Sequence, residues 1–467
     1  MTVTGQHLVD TTSRTHLLLA RTGAVNTLQE AGERLAARHV VVAVGRDACH
    51  DPFGQAATLT AVTLAVRASL TVSVEVDDPQ AIVSAGPWRG TELLEALLEL
   101  GAIPRLAADR VSTKSRVTIG APSAPTAHAD DIDLQITWDG WVSAVRAAGT
   151  RLPERHGCVL AAVAAAALAI SEIFLQLTGH LDAGWRALTL SLWDPLATDA
   201  PSAFGPRLDR LPNQWELIGL GHLGQAAAWC VSLLPYRPGD GETWLVDDDV
   251  AKDANVSTGV LTTIDDAVIG PTGTARRKTR LVASALERAV RPTRLVEHRL
   301  TTQQRWDEAR PSVAIIGVDN LQTRRHLSDV GWPLCVDAGL GSTSSSYNAL
   351  TVYTLDDRQS SQGIAAWAQA SAQLQTTDIA AFDDLRSKGV DECGIVMLGD
   401  RAVAAAFVGI IGACLAMSEP LRRLHGAPGF QCVSISLDTV APVGAPAELV
   451  DASRRVLPYV GALSETG

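Results

Sequence analysis

The chain has 467 residues, 46% apolar and 19% charged, with a formal net charge of −12. That length exceeds one ordinary core and points to two domains. The acidic balance excludes a general nucleic-acid binder, which needs clustered Lys and Arg against phosphates, and suits an anionic membrane surface no better.

The opening stretch, MTVTGQHLVDTTSRTH, has no apolar signal core, so a cytoplasmic chain is expected. VVVAVGRDACHDPFGQAA (40–57) reads as a buried strand turning into a helix. SVEVDD (73–78) reads as a strand ending in acids, and RVTIGAPS (116–123) as a further strand. CVLAAVAAAALAI (158–170) is the most membrane-like run, but it is too short to span and Ser171 and Glu172 follow at once. A close-packed Ala-rich helix is expected there. DPLATDAPSAFGPRLDRLPNQ (194–214), with its prolines and Gly205, reads as a linker. The expected domains are therefore 1–200 and 206–467.

WELIGLGHLGQAAAW (215–229) has the outline of a nucleotide loop. Gly219 allows a tight turn after a buried strand. Gly221 removes a side chain where a phosphate must approach backbone N–H groups, and Gly224 lets helix pack closely on sheet. The helix N-terminus then offers unpaired donors to an anion. A tight turn with no ligand has the same outline. TWLVDDD (243–249) ends in Asp247, Asp248 and Asp249, and VAKDAN leads on to Asn255. An acid there suits ribose hydroxyls, and a second suits Mg²⁺ beside a triphosphate. GTARRKTRLVASALE (273–287) places Lys278 near the opening of an amphipathic helix, where it can reach phosphate oxygens. SVAIIGVDNLQTRRHL (312–327) is a strand ending at Asp319 and Asn320, and strand carboxyl ends are where open α/β sheets bind ligands. Solvated acidic and basic turns would look alike at each of these places.

Together these features resemble the ThiF/MoeB/ubiquitin-activating (E1-like) adenylyltransferase superfamily over roughly residues 212–440: a GxGxxG loop, Asp247 followed by Asn255, a Lys-led helix, and strand–Asp–Asn–x–x–x–Arg. PLCVDAGLGS resembles the family's next strand and glycine turn. A long polar segment (353–393) ending at Cys393 is similar to its crossover loop, and the stretch 393–424 to its long helix. The resemblance implies an α/β fold and ATP-dependent adenylation of the C-terminal carboxylate of a ubiquitin-like protein, sulfur-carrier protein or peptide. Transfer to a cysteine follows in many members. Carried over by position, Gly219, Gly221 and Gly224 line the ATP site. Asp247 holds the ribose with Asp249 nearby, Asn255 and Lys278 contact phosphates, and Asp319 positions Mg²⁺. Two departures stand out. Thr258 lies where the family has an Arg, with Arg276 or Arg277 as possible substitutes, and the Arg-Tyr-x-Arg-Gln segment before the glycine loop is missing.

The first half repeats the second in degenerate form. LAISEIFLQLTG (168–179) matches LAMSEPLRRLHG (415–426) without a gap, and the strands LSLWD (190–194) and ISLDT (435–439) follow. Both Gly-Gln-Ala-Ala runs follow an apolar strand, but the first has lost the GxGxxG spacing, and Pro122 stands in place of Asp319. The expectation is a fused pseudo-dimer of two Rossmann-like domains: an inactive first copy for scaffolding or substrate docking, and a nucleotide-binding second copy. A further homodimer stays open.

The seven cysteines form no Cys-x-x-Cys pair, so no structural zinc site is expected. Cys393 sits where the family's cysteine sits, although Asp391 and Glu392 beside it disfavour a thiolate. Cys49, next to His50, is the second choice. Two other functions compete: an NAD-dependent oxidoreductase, which leaves Lys278 and Asp319-Asn320 unexplained, and a non-catalytic peptide binder.

Overall fold

A computed structural model describes residues 5–104, 115–123, 132–198, 201–268, 275–301, 303–341, 343–356, 360–368, 377–446 and 457–463. Gly273, Thr274 and parts of the expected linker and crossover segment lie outside them.

The first half builds one sheet from β1 (His39–Val44), β2 (Thr71–Val76), β3 (Ile103–Pro104), β4 (Ser115–Ile119), β5 (Ile132–Asp139), β6 (Val142–Ala147) and β7 (Leu188–Ser191). Their order is β3-β2-β1-β4-β5-β6-β7. β1 to β5 run parallel, and β6 is antiparallel to both of its neighbours, β5 and β7. After β8 (Arg210–Pro212), the second half repeats the plan with β9 (Gln214–Ile218), β10 (Glu242–Val246), β11 (Thr293–Val296), β12 (Val313–Ile316), β13 (Leu334–Leu340), β14 (Ala349–Leu355), β15 (Phe430–Ser436) and β16 (Val443–Pro446). The order is β11-β10-β9-β12-β13-β14-β15-β16, so the two sheets match strand for strand and the second adds one edge strand. β17 (Tyr459–Gly461) returns to pair with β8. These are two Rossmann-like domains of one topology, the expected fold class.

The strands are apolar on both faces because both faces are covered. β1 reads HVVVAV, with Val40 to Val44 all buried. Helix Leu160–Leu177 lies between β6 and β7, and helix Ala406–Leu424 between β14 and β15, so the two matching sequence segments take the same place in each copy. The first is long and apolar enough to cross a membrane, but 94% of it is buried inside the protein. An apolar helix of that kind is a core helix. It packs on helix Pro52–Arg67 in its own half and on helix Ala406–Leu424 across the divide, where helix His222–Leu233 joins them. One hydrophobic core runs through this helical layer into both sheets. Trp229 Nε1 donates across it to Thr60 Oγ1 at 3.0 Å. Trp215, Trp229 and Trp244 are all buried, as expected.

Candidate functional site

In each sheet the central strand lies between neighbours whose connections leave in opposite directions, which opens a crevice at the strands' carboxyl ends. In the second half that crevice follows β9, β10 and β12, and it gathers most of the expected residues.

Each glycine of the loop has a separate reason. Gly219 has φ +79°, and a Cβ there would lie 3.0 Å from the Gly317 carbonyl carbon. A Cβ on Gly224 would lie 2.0 Å from the Gly219 oxygen, so only glycine lets the helix sit this close. Gly221 is different: a Cβ there meets nothing within 4 Å. It faces open space in front of helix His222–Leu233, whose first turn has no side-chain cap. Uncapped N–H groups facing a space of this kind suit a phosphate.

Asp247 follows β10 and accepts from Leu220 N at 2.6 Å and Asp249 N at 2.7 Å. It braces the glycine turn against the acidic one. Asp247, Asp248 and Asp249 bring ligand oxygens within 4.8 Å of one another, so the compact carboxylate group lies here and not at Asp319. Lys278 opens helix Lys278–Arg288 and is buried, with Nζ 2.9 Å from Asp249 Oδ2. Burial alone would raise the Asp249 carboxyl. Lys278, then Lys252 and Arg299, hold it below the usual carboxylate range. Asn255 ends a short 3₁₀ turn, and its Oδ1 accepts from Lys252 N. Thr258 is buried just beyond. Arg276 pairs with Asp266 at 3.0 Å, and Arg277 bonds the Asp248 carbonyl, so both expected substitutes are engaged on the protein itself. Asp319 is exposed after β12, two strands from Asp247, roughly 10 Å away by strand spacing. Asn320 caps the following helix.

The first half contributes residues that sequence reasoning missed. Helices Gly5–Thr11 and Arg14–Arg21 precede β1 and lie against the second half's site. Asp10 pairs with Lys252 at 3.1 Å, and Arg14 N donates to Ser257 Oγ at 2.9 Å. Burial, then Arg401, pushes the Arg14 guanidinium down to about 10 despite Asp10, and its Nη1 has no hydrogen-bond partner among the described residues. Arg21 donates to the carbonyls of Leu398, Gly399 and Arg401, at the end of helix Glu392–Gly399. Cys393 stands exposed in the first turn of that same helix, where Asp391 caps Gly394 N. The polar segment before it is partly helical, at Ala380–Ser387. Cys49 is buried and its thiol is pushed up by burial, which removes it as a nucleophile.

The matching crevice in the first half is closed by its own side chains. Asp77, after β2, accepts from Arg46 N, Ser123 N and Ser123 Oγ at 2.9–3.2 Å. Asp47 accepts from Ala121 N at 2.9 Å. The bond from Arg46 N to Asp77 has its counterpart in Leu220 N and Asp247; what differs is that Asp47 and Asp77 also bind the turn after β4, at Ala121 N and Ser123 N.

Two family models cover the two halves of the chain. Residues 211–427 match the family described as "BilD C-terminal domain", and residues 39–192 match "BilD N-terminal domain". A relative from Collimonas sp. (strain OK412), "Bacterial E1-like protein BilD", is 34% identical over 437 residues, covering 90% of this chain and 88% of its own. The chain belongs to the BilD family of bacterial E1-like proteins. Among solved structures, the crystal structure of E. coli MccB aligns at 12% identity and a TM-score of 0.34, over 60% of this chain and 70% of that one. Within the BilD family frame, the glycine turn, acidic turn and Lys278 fall in the C-terminal domain. Arg14 and Arg21 precede the matched part of the N-terminal one.

Proposed function

We propose that the second half uses ATP to adenylate the C-terminal carboxylate of a small ubiquitin-like protein, sulfur-carrier protein or peptide. One contrast carries this reading. The two sheets share a topology, yet in the second Gly221 leaves the glycine turn open beside Lys278 and the acidic turn, while in the first Asp77 and Asp47 bind the turn after β4.

In the reaction a carboxylate oxygen forms a bond to the α-phosphorus and the bond to the β-phosphate bridging oxygen breaks. Pyrophosphate leaves with that electron pair, and no proton moves. Bringing a carboxylate to a triphosphate concentrates negative charge, so cations must neutralise what develops. Lys278 supplies one, in a buried place where a charge acts strongly. Arg14 supplies another from the first half, which answers the missing family Arg at Thr258. Asp319 and the acidic turn suit Mg²⁺, which when bound neutralises phosphate oxygens. Asp247 suits the ribose hydroxyls. The sulfur of Cys393, the exposed thiol, then forms a bond to the acyl carbon while the acyl–oxygen bond to AMP breaks; AMP leaves with that electron pair and the thiol proton passes to solvent. All seven cysteines are free, which fits action in a reducing cytoplasm.

The test is ATP–pyrophosphate exchange with Mg²⁺ and a panel of carrier proteins and peptides. Exchange that Lys278→Ala and Asp319→Ala both abolish supports adenylation. NADH binding without exchange would replace it with the oxidoreductase, and a stable peptide complex without either would make the protein a binder.

A further inference from the structure

Helix Leu321–Arg325 begins two residues after Asp319 and contains no buried residue. Its one apolar anchor is Leu321, only partly buried against the smaller apolar cluster, and its remaining ties are polar. Asn320 serves the helix's own first turn. Arg325 reaches outward to the Trp367 carbonyl at 2.5 Å. Arg324 reaches the sheet. Its Nε lies 3.1 Å from Asp337 Oδ1 on β13, and its Nη2 donates to the Ala338 carbonyl at 3.2 Å.

Asp337 is fully buried. Burial pushes its carboxyl up to about 6 against the pull of Arg324. A charge in the interior is costly, and a tether that only holds a helix works as well with apolar residues of the same volume. The first half is an internal control. Register sets Ile119 beside Ile136 and Ile315 beside Val336, two pairs that face the central helices; the next residue is neutral Thr137 in β5 and Asp337 in β13. A buried acid is not confined to this half, since Asp139 ends β5 buried and paired with Arg155; what is particular to Asp337 is that its arginine stands on the helix that follows Asp319.

We infer that Arg324 and Asp337 are positioning residues that aim the Asp319–Asn320 turn at the crevice. This rests on the adenylation reading. The pair touches neither nucleotide nor acyl group; it acts through the helix that Asp319 precedes. A misaimed ligand of about 1 Å costs on the order of 100-fold in rate.

The experiment compares the full chain with the double variant Arg324→Met/Asp337→Val, which stays nearer the pair's volume and leaves no lone charge, and with Asp337→Asn. Thermal unfolding reports folding, and exchange is measured across ATP and Mg²⁺ concentrations. The inference expects a folded double variant with a near-normal KM for ATP, a kcat lowered on the order of 100-fold, and a raised Mg²⁺ requirement. Asp337→Asn should shift the same parameters in the same direction. A folded double variant exchanging at the wild-type rate overturns it: the pair would be structural only. A wild-type chain that exchanges with no carrier overturns the adenylation reading instead, and this inference with it.

Discussion

Arg422 leaves its own half of the molecule: its Nη1 donates to the Leu192 carbonyl, just past β7, at 3.0 Å. The same contact runs the other way. Arg186 Nη2 donates to the Leu437 carbonyl, just past β15, at 2.8 Å. Buried Glu419 holds Arg422, and buried Glu172 holds Arg186 through both carboxylate oxygens. This is the signature of a two-fold interface, in which one surface meets its own copy. Here both copies lie on one chain.

Breaking either cross-link should destabilise the whole protein. Glu419→Ala leaves Arg422 buried without its partner, which costs about 3–5 kcal/mol. Glu172→Ala should cost less, because the Arg186 side chain is 24% exposed against 2% for Arg422. Urea unfolding of both variants measures the order, and a Glu419→Ala protein that unfolds like wild type contradicts it.

The Ser-Glu pair in the two matching helical segments was readable as a repeat, but not as this interface. Arg186 lies outside the helix that carries Glu172, and Leu192 and Leu437 contribute only backbone. The glycine loop was readable because positive φ at Gly219 and contact at Gly224 permit little else. The Gly-Gln-Ala-Ala match also has a cause. Gln225 ties the Leu220 carbonyl to Leu261 and Thr262, and Gln55 ties Cys49 to Ile82 and Ser84. Arg14 and Arg21 were invisible, since they act more than 200 residues away in the chain. Asp337 sits inside an apolar strand and gains meaning only once register sets Arg324 against it.

The closed first crevice predicts one nucleotide per chain. The first half has lost the GxGxxG spacing, and Asp47 and Asp77 bind the turn after β4 there, so only the second half is available. Titration calorimetry with ATP and Mg²⁺ should give a stoichiometry near one, lost in Lys278→Ala. Two equivalent sites would contradict the division between the halves.

Cys393 should separate the two steps. It is exposed on its own helix, whose far end Arg21 holds from the first half. Cys393→Ala should leave pyrophosphate exchange intact and abolish any thioester that reductant cleaves. Non-reducing gels with a labelled carrier show this directly. A thioester that survives the substitution moves the acceptor elsewhere.

His222 predicts an acid-side loss of stability. The ring lies between the glycine turn and helix Ala406–Leu424, where Gly409 makes room; a Cβ there would lie 2.5 Å from it. Burial drags the imidazole down to about 4, against backbone hydrogen bonds at Ala405 and Ala406, and Nε2 has no partner among the described residues. The unfolded chain takes a proton near 6.5, and the folded one refuses it until about 4. This group's contribution is therefore complete above pH 6.5 and is lost as pH falls, at about 1.4 kcal/mol per unit. Asp337 acts with the opposite sign. Its raised value means that the folded state keeps a proton the unfolded chain releases above 3.8, so its contribution falls as pH rises toward 6. The two partly cancel in the wild type, and variants must separate them. His222→Leu should gain about 2 kcal/mol at pH 5 relative to pH 7, compared with wild type over the same interval. Asp337→Asn should move the difference the other way. Urea unfolding at both pH values measures each, and a His222→Leu protein whose stability tracks wild type across that interval would show that the imidazole is already solvated.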